Sequence, residues 1–261
     1  MELNFIAISI GNTRTQFCTF IDGALTEHQI IDNHQIETLP EMVAVSYLDI
    51  ADKKDPAILL ASVVPQLATQ AESLINQKLA SQVIRIQRDI DIPLGLQTDP
   101  DANTGQDRLL NGAGAYDTLK QACVIVDAGT AITVDFIDGQ GTFHGGAILP
   151  GMQMMLDAMH QQASQLPKVK LQKPTEPIGH NTQQAMLTGV YYGARGAILK
   201  LIETYAEHAG AYPLVIATGG DAPLLFEDDD LIDRIVPHLT LLGMKTTFKA
   251  ALESELESNA N

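Results

Sequence analysis

Tryptophan is absent from this chain, cysteine occurs twice, and basic residues are half as numerous as acidic ones. Cys18 and Cys123 each stand alone in an apolar, strand-like run, with no Cys-x-x-Cys pair between them. That excludes a disulfide framework and reads as two buried free thiols, so the expected compartment is the cytoplasm. Lys+Arg 16 against Asp+Glu 32 gives a formal net charge of −16. A surface this acidic repels phosphate backbones and anionic headgroups, so neither nucleic acid nor membrane is an expected partner. A nucleotide is not excluded, because its site needs only local donors and a cation. No apolar run approaches the roughly 20 residues of a spanning helix. The start, Met1-Glu2-Leu3-Asn4, lacks the basic segment of a secretion signal. The seven histidines show no pair at metal-ligand spacing, so no structural zinc is expected.

What is present is apolar material for a large core: 45% of 261 residues are hydrophobic, enough for one large domain or two smaller ones. The polar end Glu253–Asn261 stands outside that expectation, and the acidic run Glu227–Asp230 reads as a solvated loop.

An internal repeat organises the chain. Ile6-Ala7-Ile8-Ser9-Ile10-Gly11-Asn12-Thr13-Arg14-Thr15 lines up with Val124-Ile125-Val126-Asp127-Ala128-Gly129-Thr130-Ala131-Ile132-Thr133. Each copy is an apolar strand, a small polar or acidic residue, a glycine turn bearing threonine, and a returning strand that reaches Asp22-Gly23 or Asp138-Gly139, where a hairpin would close. Two copies at this spacing are too far apart for a solenoid and predict a duplicated domain with two similar halves facing a cleft. Between the copies the pattern is α/β. Strands are expected at Ile58–Val63 and Val83–Ile86, helices at Pro65–Leu79 and Asp107–Lys120, and a loop from Asp91 to Thr104. After the second copy, Gln183–Ala206 reads as a long helix whose Gly189, Gly193 and Gly196 predict close helix packing. Leu214–Ala217 reads as a buried strand leading into Thr218-Gly219-Gly220.

Asp127 ends a buried strand, where a carboxylate needs a cation or hydrogen-bond partners. Gly129 removes the Cβ that would keep a phosphate from the backbone amides, and Thr130 adds a hydroxyl donor. An ordinary Asx-type hairpin accounts for the same residues, and the motif alone leaves both readings open. The matching Gly11-Asn12-Thr13 loop tips the balance toward phosphate binding. Thr218-Gly219-Gly220 is a weak signal alone, and after two phosphate hairpins it reads as an adenosine-side loop. Gly105-Gln106-Asp107-Arg108 stands at a predicted helix start. There Asp107 is either a first-turn charge or the acceptor of a proton from an alcohol attacking a γ-phosphate, with Arg108 suited to a substrate carboxylate.

Six segments fall in the order seen in type III pantothenate kinases, and the chain resembles that family from about Ile6 to Gly243. They are Gly11-Asn12-Thr13, Gly105-x-Asp107-Arg108, Asp127-x-Gly129-Thr130-x-x-Thr133, Gly145-Gly146-Ala147-Ile148-x-Pro150-Gly151, Gly179-x-Asn181-Thr182 and Thr218-Gly219-Gly220. The resemblance implies an α/β, duplicated actin-like (RNase H-like) two-domain fold with ATP in the interdomain cleft, residues 1–121 forming one domain and 122–261 the other. It implies ATP-dependent phosphorylation of pantothenate, the first step toward coenzyme A. Asp107 is then the proton acceptor, with Gly105, Gln106, Asp107, Arg108 and Thr182 on pantothenate. Ser9, Ile10, Gly11, Asn12, Thr13, Arg14, Thr15, Gln16, Thr130, Gly219 and Gly220 are the expected ATP contacts. Asp127 serves a monovalent cation, K+ or NH4+, magnesium accompanies the nucleotide, and Thr182 comes from the partner subunit of a homodimer.

Two departures stand out. The family's first phosphate loop begins with Asp where this chain has Ser9. The family also carries a Tyr near the Pro before Gly-x-Asp-Arg, where this chain has Gln97-Thr98-Asp99 beside Pro100. Two alternatives therefore stand beside the kinase: a catalytically weakened nucleotide-binding homologue with a regulatory role, and a kinase of this fold for another small alcohol.

Overall fold

The computed structural model describes residues 2–79, 81–99, 101–227 and 230–259. Pro100, the Asp228-Asp229 part of the acidic run and the last two residues of the polar end lie outside the described residues. The chain forms β1 (Phe5–Ile10), β2 (Arg14–Ile21), β3 (Ala24–Asp32), α1 (Leu39–Tyr47), β4 (Ala57–Ser62), α2 (Pro65–Leu79), β5 (Val83–Arg85), β6 (Gly95–Leu96) and α3 (Gln106–Leu119). There follow β7 (Cys123–Ala128), β8 (Ala131–Ile137), β9 (Thr142–Pro150), α4 (Met152–Gln162), α5 (Thr182–Ala209), β10 (Leu214–Thr218), α6 (Ala222–Phe226), β11 (Arg234–Ile235) and α7 (Leu239–Asn259).

The repeat seen in the sequence is a repeat of topology. One sheet runs β3-β2-β1-β4-β5, and β9-β8-β7-β10-β11 reproduces that order in the other, with β6 added at its edge. In both copies the first three strands are antiparallel and the last two join in parallel, as β1–β4 and β7–β10 show. The compact units do not follow a single cut at residue 121. The first gathers Met1–Leu94, Asp101–Thr118 and Leu239–Asn261, and the second gathers Gly95–Pro100 and Leu119–His238.

In the first unit β1 is buried on both faces, which is why it is apolar throughout. Ile6, Ile8 and Ile10 pack with Val43 of α1 and with Ala68, Ala71 and Ile75, which share one face of α2. Phe5 and Ala7 face the other way, onto Leu110 of α3 and Leu241, Met244 and Phe248 of α7. Each such buried aliphatic side chain contributes about 1.5–3 kcal/mol. The α7 helix extends over most of the polar end, beyond the residues it buries at Leu241, Met244 and Phe248. Gly114 and Gly243 let α3 and α7 touch backbone to backbone: a Cβ at 114 would lie 2.9 Å from the Gly243 nitrogen. Thr240 Oγ1 donates to Asn111 Oδ1 at 2.8 Å and fixes their register.

In the second unit Val124, Val126 and Ala128 pack under α5 through Leu187, Val190, Tyr191, Ala194 and Ile198. Asn181 caps α5, its Oδ1 accepting from the Gln184 N–H at 2.9 Å. Gly210 ends the helix with φ +68°. The close packing expected of Gly189, Gly193 and Gly196 is not found among the described residues: a Cβ at any of them would meet nothing within 4 Å. Both cysteines are buried and free, and burial pushes each thiol up to about 12. No helix among the described residues is long and apolar enough to cross a membrane.

Candidate active site

The first hairpin turns at Gly11–Arg14, closed by the Gly11 N–H donating to the Arg14 carbonyl at 2.9 Å. Asn33, at the end of β3, holds this loop from three sides. Its Nδ2 donates to the Gly11 carbonyl at 2.7 Å, its Oδ1 accepts from the Thr15 hydroxyl at 2.8 Å, and its N–H donates to the Thr13 carbonyl at 3.0 Å. Nothing in the sequence marked Asn33, since its partners lie about twenty residues away and only the register of β2 on β3 brings it there. Ser9 is 8% exposed, stands one residue before the end of β1 and registers with Gln16 on β2 and Ala61 on β4. Asn12, Thr13 and Arg14 stand exposed at the tip. Ile10 and Thr15, expected among the nucleotide contacts, turn their side chains into the fold and are fully buried. The Ile10 carbonyl accepts from the Val63 N–H.

The second hairpin is one residue shorter. Ala128 pairs with Ile132, whereas Ile10 pairs with Thr15. The strand-end positions therefore face different partners: Ser9 sits across from Gln16, and Asp127 from Thr133. Thr133 Oγ1 is buried and has no hydrogen-bond partner among the described residues. Thr218, on the parallel strand, registers with Asp127 from the other side, so Asp127, Thr133 and Thr218 share one face of the sheet. Gly219 follows with φ +92°, and a Cβ there would lie 2.5 Å from Asp127 Oδ1 and collide with the Ala128 carbonyl. Gly151 supports the tip of the hairpin. Its N–H donates to the Thr130 carbonyl at 3.2 Å, and a Cβ would strike the carbonyls of Gly129 and Thr130. Gly146 likewise lies against Val134 and Asp135. The Gly-Gly-Ala-Ile-x-Pro-Gly run is thus the strand against which the second hairpin is moulded.

Asp107 lies in the first turn of α3 and is half-buried, with Oδ1 accepting from the Arg108 N–H at 2.8 Å. A Cβ on Gly105 would stand 2.6 Å from that oxygen. Gln106, expected on the substrate, is engaged elsewhere: its Oε1 accepts from the Ser62 N–H at 3.0 Å and its Nε2 donates to the Ile86 carbonyl at 3.2 Å. It ties the start of α3 to the ends of β4 and β5, and so fixes Gly105 and Asp107 on either side of it. Thr182 is exposed at the first position of α5. Beside it Gln172, Lys173, Thr175, Asn181 and Gln184 line a cleft of about 210 Å³. Gly179 lets the chain pass over the Ala185 nitrogen.

The family model described as type III pantothenate kinase matches residues 5–204. The type III pantothenate kinase of Rhodospirillum rubrum is 34% identical over 245 residues, covering 92% of this chain and 95% of that protein. That of Moorella thermoacetica is 31% identical, covering 94% and 98%. Among solved structures, a conserved Baf family protein of Campylobacter jejuni, named as a transcriptional activator, superposes with TM-score 0.60 at 22% identity, covering 95% of this chain and 99% of that one. The activator of 2-hydroxyisocaproyl-CoA dehydratase from Clostridium difficile, with bound ADPNP, gives TM-score 0.53 at 14% identity and covers 98% of each chain. At these identities the solved structures show the fold alone, and that fold is the actin-like one.

Proposed function

The chain belongs to the type III pantothenate kinase family, and we propose, from the two hairpins and the Gly105–Arg108 segment, how it carries out that family's reaction. It is a phosphotransferase that phosphorylates pantothenate at the expense of ATP, at the entrance to coenzyme A synthesis. The observation that carries the reading is the family match over residues 5–204, which spans both hairpins and the α3 start.

In the proposed reaction the primary hydroxyl oxygen of pantothenate forms a bond to the γ-phosphorus of ATP while the bond from that phosphorus to the β–γ bridging oxygen breaks. ADP leaves, and the hydroxyl proton passes to the Asp107 carboxylate. Such transfer depends mostly on positioning and charge neutralisation. Arg108 offers a planar fork for the pantothenate carboxylate. Backbone amides of Gly11–Thr13 and Gly129–Thr130, with the hydroxyls of Ser9 and Thr130 and the side chains of Asn12, Arg14 and Gln16, are suited to the phosphates. Gly219 and Gly220 leave room for the nucleoside. Ile10 and Thr15 support the first loop from inside.

The residues around Asp127 fit a monovalent cation. A carboxylate, a buried hydroxyl on Thr133 without a partner among the described residues, and a third oxygen on Thr218 share one sheet face. Potassium or ammonium bound there supplies positive charge beside the triphosphate, and magnesium travels with the nucleotide. A homodimer is supported by the open glycine face of α5, where Tyr192 and Leu199 are also exposed. In that arrangement Thr182 serves the partner's substrate. The compartment we assign is the cytoplasm.

The weakened-homologue reading has only Ser9 behind it. A coupled assay of purified protein with ATP, pantothenate and potassium tests the proposal. Phosphopantothenate formation that drops when sodium replaces potassium supports both enzyme and cation site. ATP binding without transfer refutes the enzyme reading.

A further inference from the structure

The tip of the first hairpin has little packing to hold its shape. Asn12, Thr13 and Arg14 are exposed there. The Arg14–Asp32 ion pair beside them, at 3.9 Å with both side chains more than half exposed, contributes little. Hydrogen bonds therefore set the loop, and they centre on the half-buried Asn33. Its amide meets two groups of opposite demand. The Gly11 carbonyl can only accept, so Nδ2 faces it at 2.7 Å, and Oδ1 accepts from the Thr15 hydroxyl at 2.8 Å. Aspartate has the length for both contacts but, when ionised, lacks the donor.

These bonds also aim the N–H groups that follow. The peptides of the described residues are trans, and in a trans peptide the carbonyl and the N–H point in opposite directions. Turning the Gly11 carbonyl onto Asn33 Nδ2 turns the Asn12 N–H away from Asn33. Turning the Thr13 carbonyl onto the Asn33 N–H, at 3.0 Å, does the same for the Arg14 N–H. One residue thus sets the direction of two backbone donors, and N–H groups aimed together form a concavity suited to an anion. With Ser9 bringing only a hydroxyl, the grip of this loop depends on those donors.

The second hairpin carries no such side chain, and its length explains the difference. Residue 151 follows β9 as residue 33 follows β3: the Asn33 N–H donates to the Thr13 carbonyl, and the Gly151 N–H donates to the Thr130 carbonyl at 3.2 Å. The shorter second loop leaves no room at this position, since a Cβ on Gly151 would strike the carbonyls of Gly129 and Thr130. The longer first loop opens a gap at the same point, and the Asn33 amide occupies it.

We propose that Asn33 is a positioning residue for the nucleotide, holding the Gly11–Arg14 loop in the shape that presents its N–H groups to the phosphates without touching them itself. This rests on the assignment of that loop to ATP.

The test is calorimetric titration of the full chain with magnesium–ATP and with adenosine, joined to kinetics in which ATP and pantothenate are varied separately. In Asn33→Ala the Kd and the KM for ATP rise about 5–30-fold. The affinity for adenosine and the KM for pantothenate stay within about three-fold, because only the hold on the phosphates is lost. Asn33→Asp matches asparagine in size and keeps an acceptor for the Thr15 hydroxyl, so it replaces the alanine variant should that one not fold. With a carboxylate against the Gly11 carbonyl it weakens ATP binding at least as much. An ATP Kd that rises less than about five-fold in a folded variant overturns the proposal. So does an equal loss of adenosine binding, or failure of both variants to fold, since either makes Asn33 a support of the whole unit. A parent protein that binds adenosine but gains nothing from the phosphates of ATP overturns instead the loop assignment beneath it.

Discussion

Gly219 passes Asp127 so closely that a Cβ at 219 would stand 2.5 Å from the Asp127 carboxylate oxygen. The glycine also takes φ +92°, where a side chain is strained whatever the space. Gly219→Ala therefore brings two penalties, a backbone one and an overpacking one, together about 2–4 kcal/mol. We expect a lower melting temperature and a weaker response of activity to potassium, since the carboxylate must move. Thermal melts and a potassium titration check this. A variant that melts like the parent would show that the turn opens without resistance.

Asp107 differs in being replaceable without structural loss. Asparagine keeps the oxygen that accepts from the Arg108 N–H, so Asp107→Asn should melt at the parent temperature and bind ATP normally by calorimetry. Its kcat should fall about 10²–10⁴-fold if the carboxylate takes the hydroxyl proton. Near-parental turnover would leave Asp107 as a first-turn charge on α3 and nothing more.

Acid stability should depend on an arginine–carboxylate cluster between α2 and the turn after β5. Arg88 donates to both Glu72 oxygens at 3.0 and 2.7 Å and to both Asp89 oxygens at 2.9 and 2.8 Å, and Arg85 adds a bond to Glu72 at 3.1 Å. The hydrogen bonds from Arg88 are the largest cause holding the Glu72 and Asp89 carboxyls below their ordinary values of 4.5 and 3.8. Lowered carboxyl values stabilise the fold at pH above those ordinary values, and that stability is lost as pH falls through the folded-state values beneath them. At neutral pH, Arg88→Met should melt about 1–4 °C below the parent, a small effect because Arg88 is half exposed. The gap should close as pH drops below about 4.5. A gap independent of pH would assign Arg88 a packing role only.

The strand–turn–strand repeat was legible because it is local: alternation, a glycine turn and a threonine lie within ten residues of one another. What escaped was set by register. The ungapped alignment equated Thr15 with Thr133, but the longer first loop shifts the return strand by one residue, placing Gln16 across from Ser9. Thr15 consequently points inward to Asn33. The same reasoning explains the turns. Asp22-Gly23 closes a hairpin with both residues at positive φ, whereas the Asp138-Gly139 turn runs on to Gly141, because Asp138 binds the N–H groups of Gln140 and Thr142. Two residues carry no periodicity, so the sequence predicts loop where β6 forms. The assignment of α7 to the first unit depends on Gly114 meeting Gly243, a contact no sequence spacing announces.

Ser9 decides how much catalysis the first loop supplies. It is the penultimate residue of β1 as Asp127 is of β7, but it brings a hydroxyl where the resemblance leads one to expect a carboxylate. The position is 8% exposed, so an aspartate there would be desolvated, and without a cation it would weaken the fold. Ser9→Asp should therefore melt about 2–4 °C below the parent in the absence of ligand, as expected for about 1 kcal/mol in a chain of this size. Magnesium and ATP together should recover that loss. The parent should be active but demand raised magnesium, and Ser9→Asp should lower the magnesium needed for half-maximal rate about ten-fold while kcat changes little, because the added charge orders the metal–nucleotide complex without touching the proton acceptor. The paired measurement separates the two effects: melting reports the buried charge, and the magnesium titration reports what that charge binds. A parent inactive across magnesium and potassium titrations, with ATP binding shown by calorimetry, would overturn the enzyme reading. Recovery of transfer in Ser9→Asp would then place the defect at the missing carboxylate.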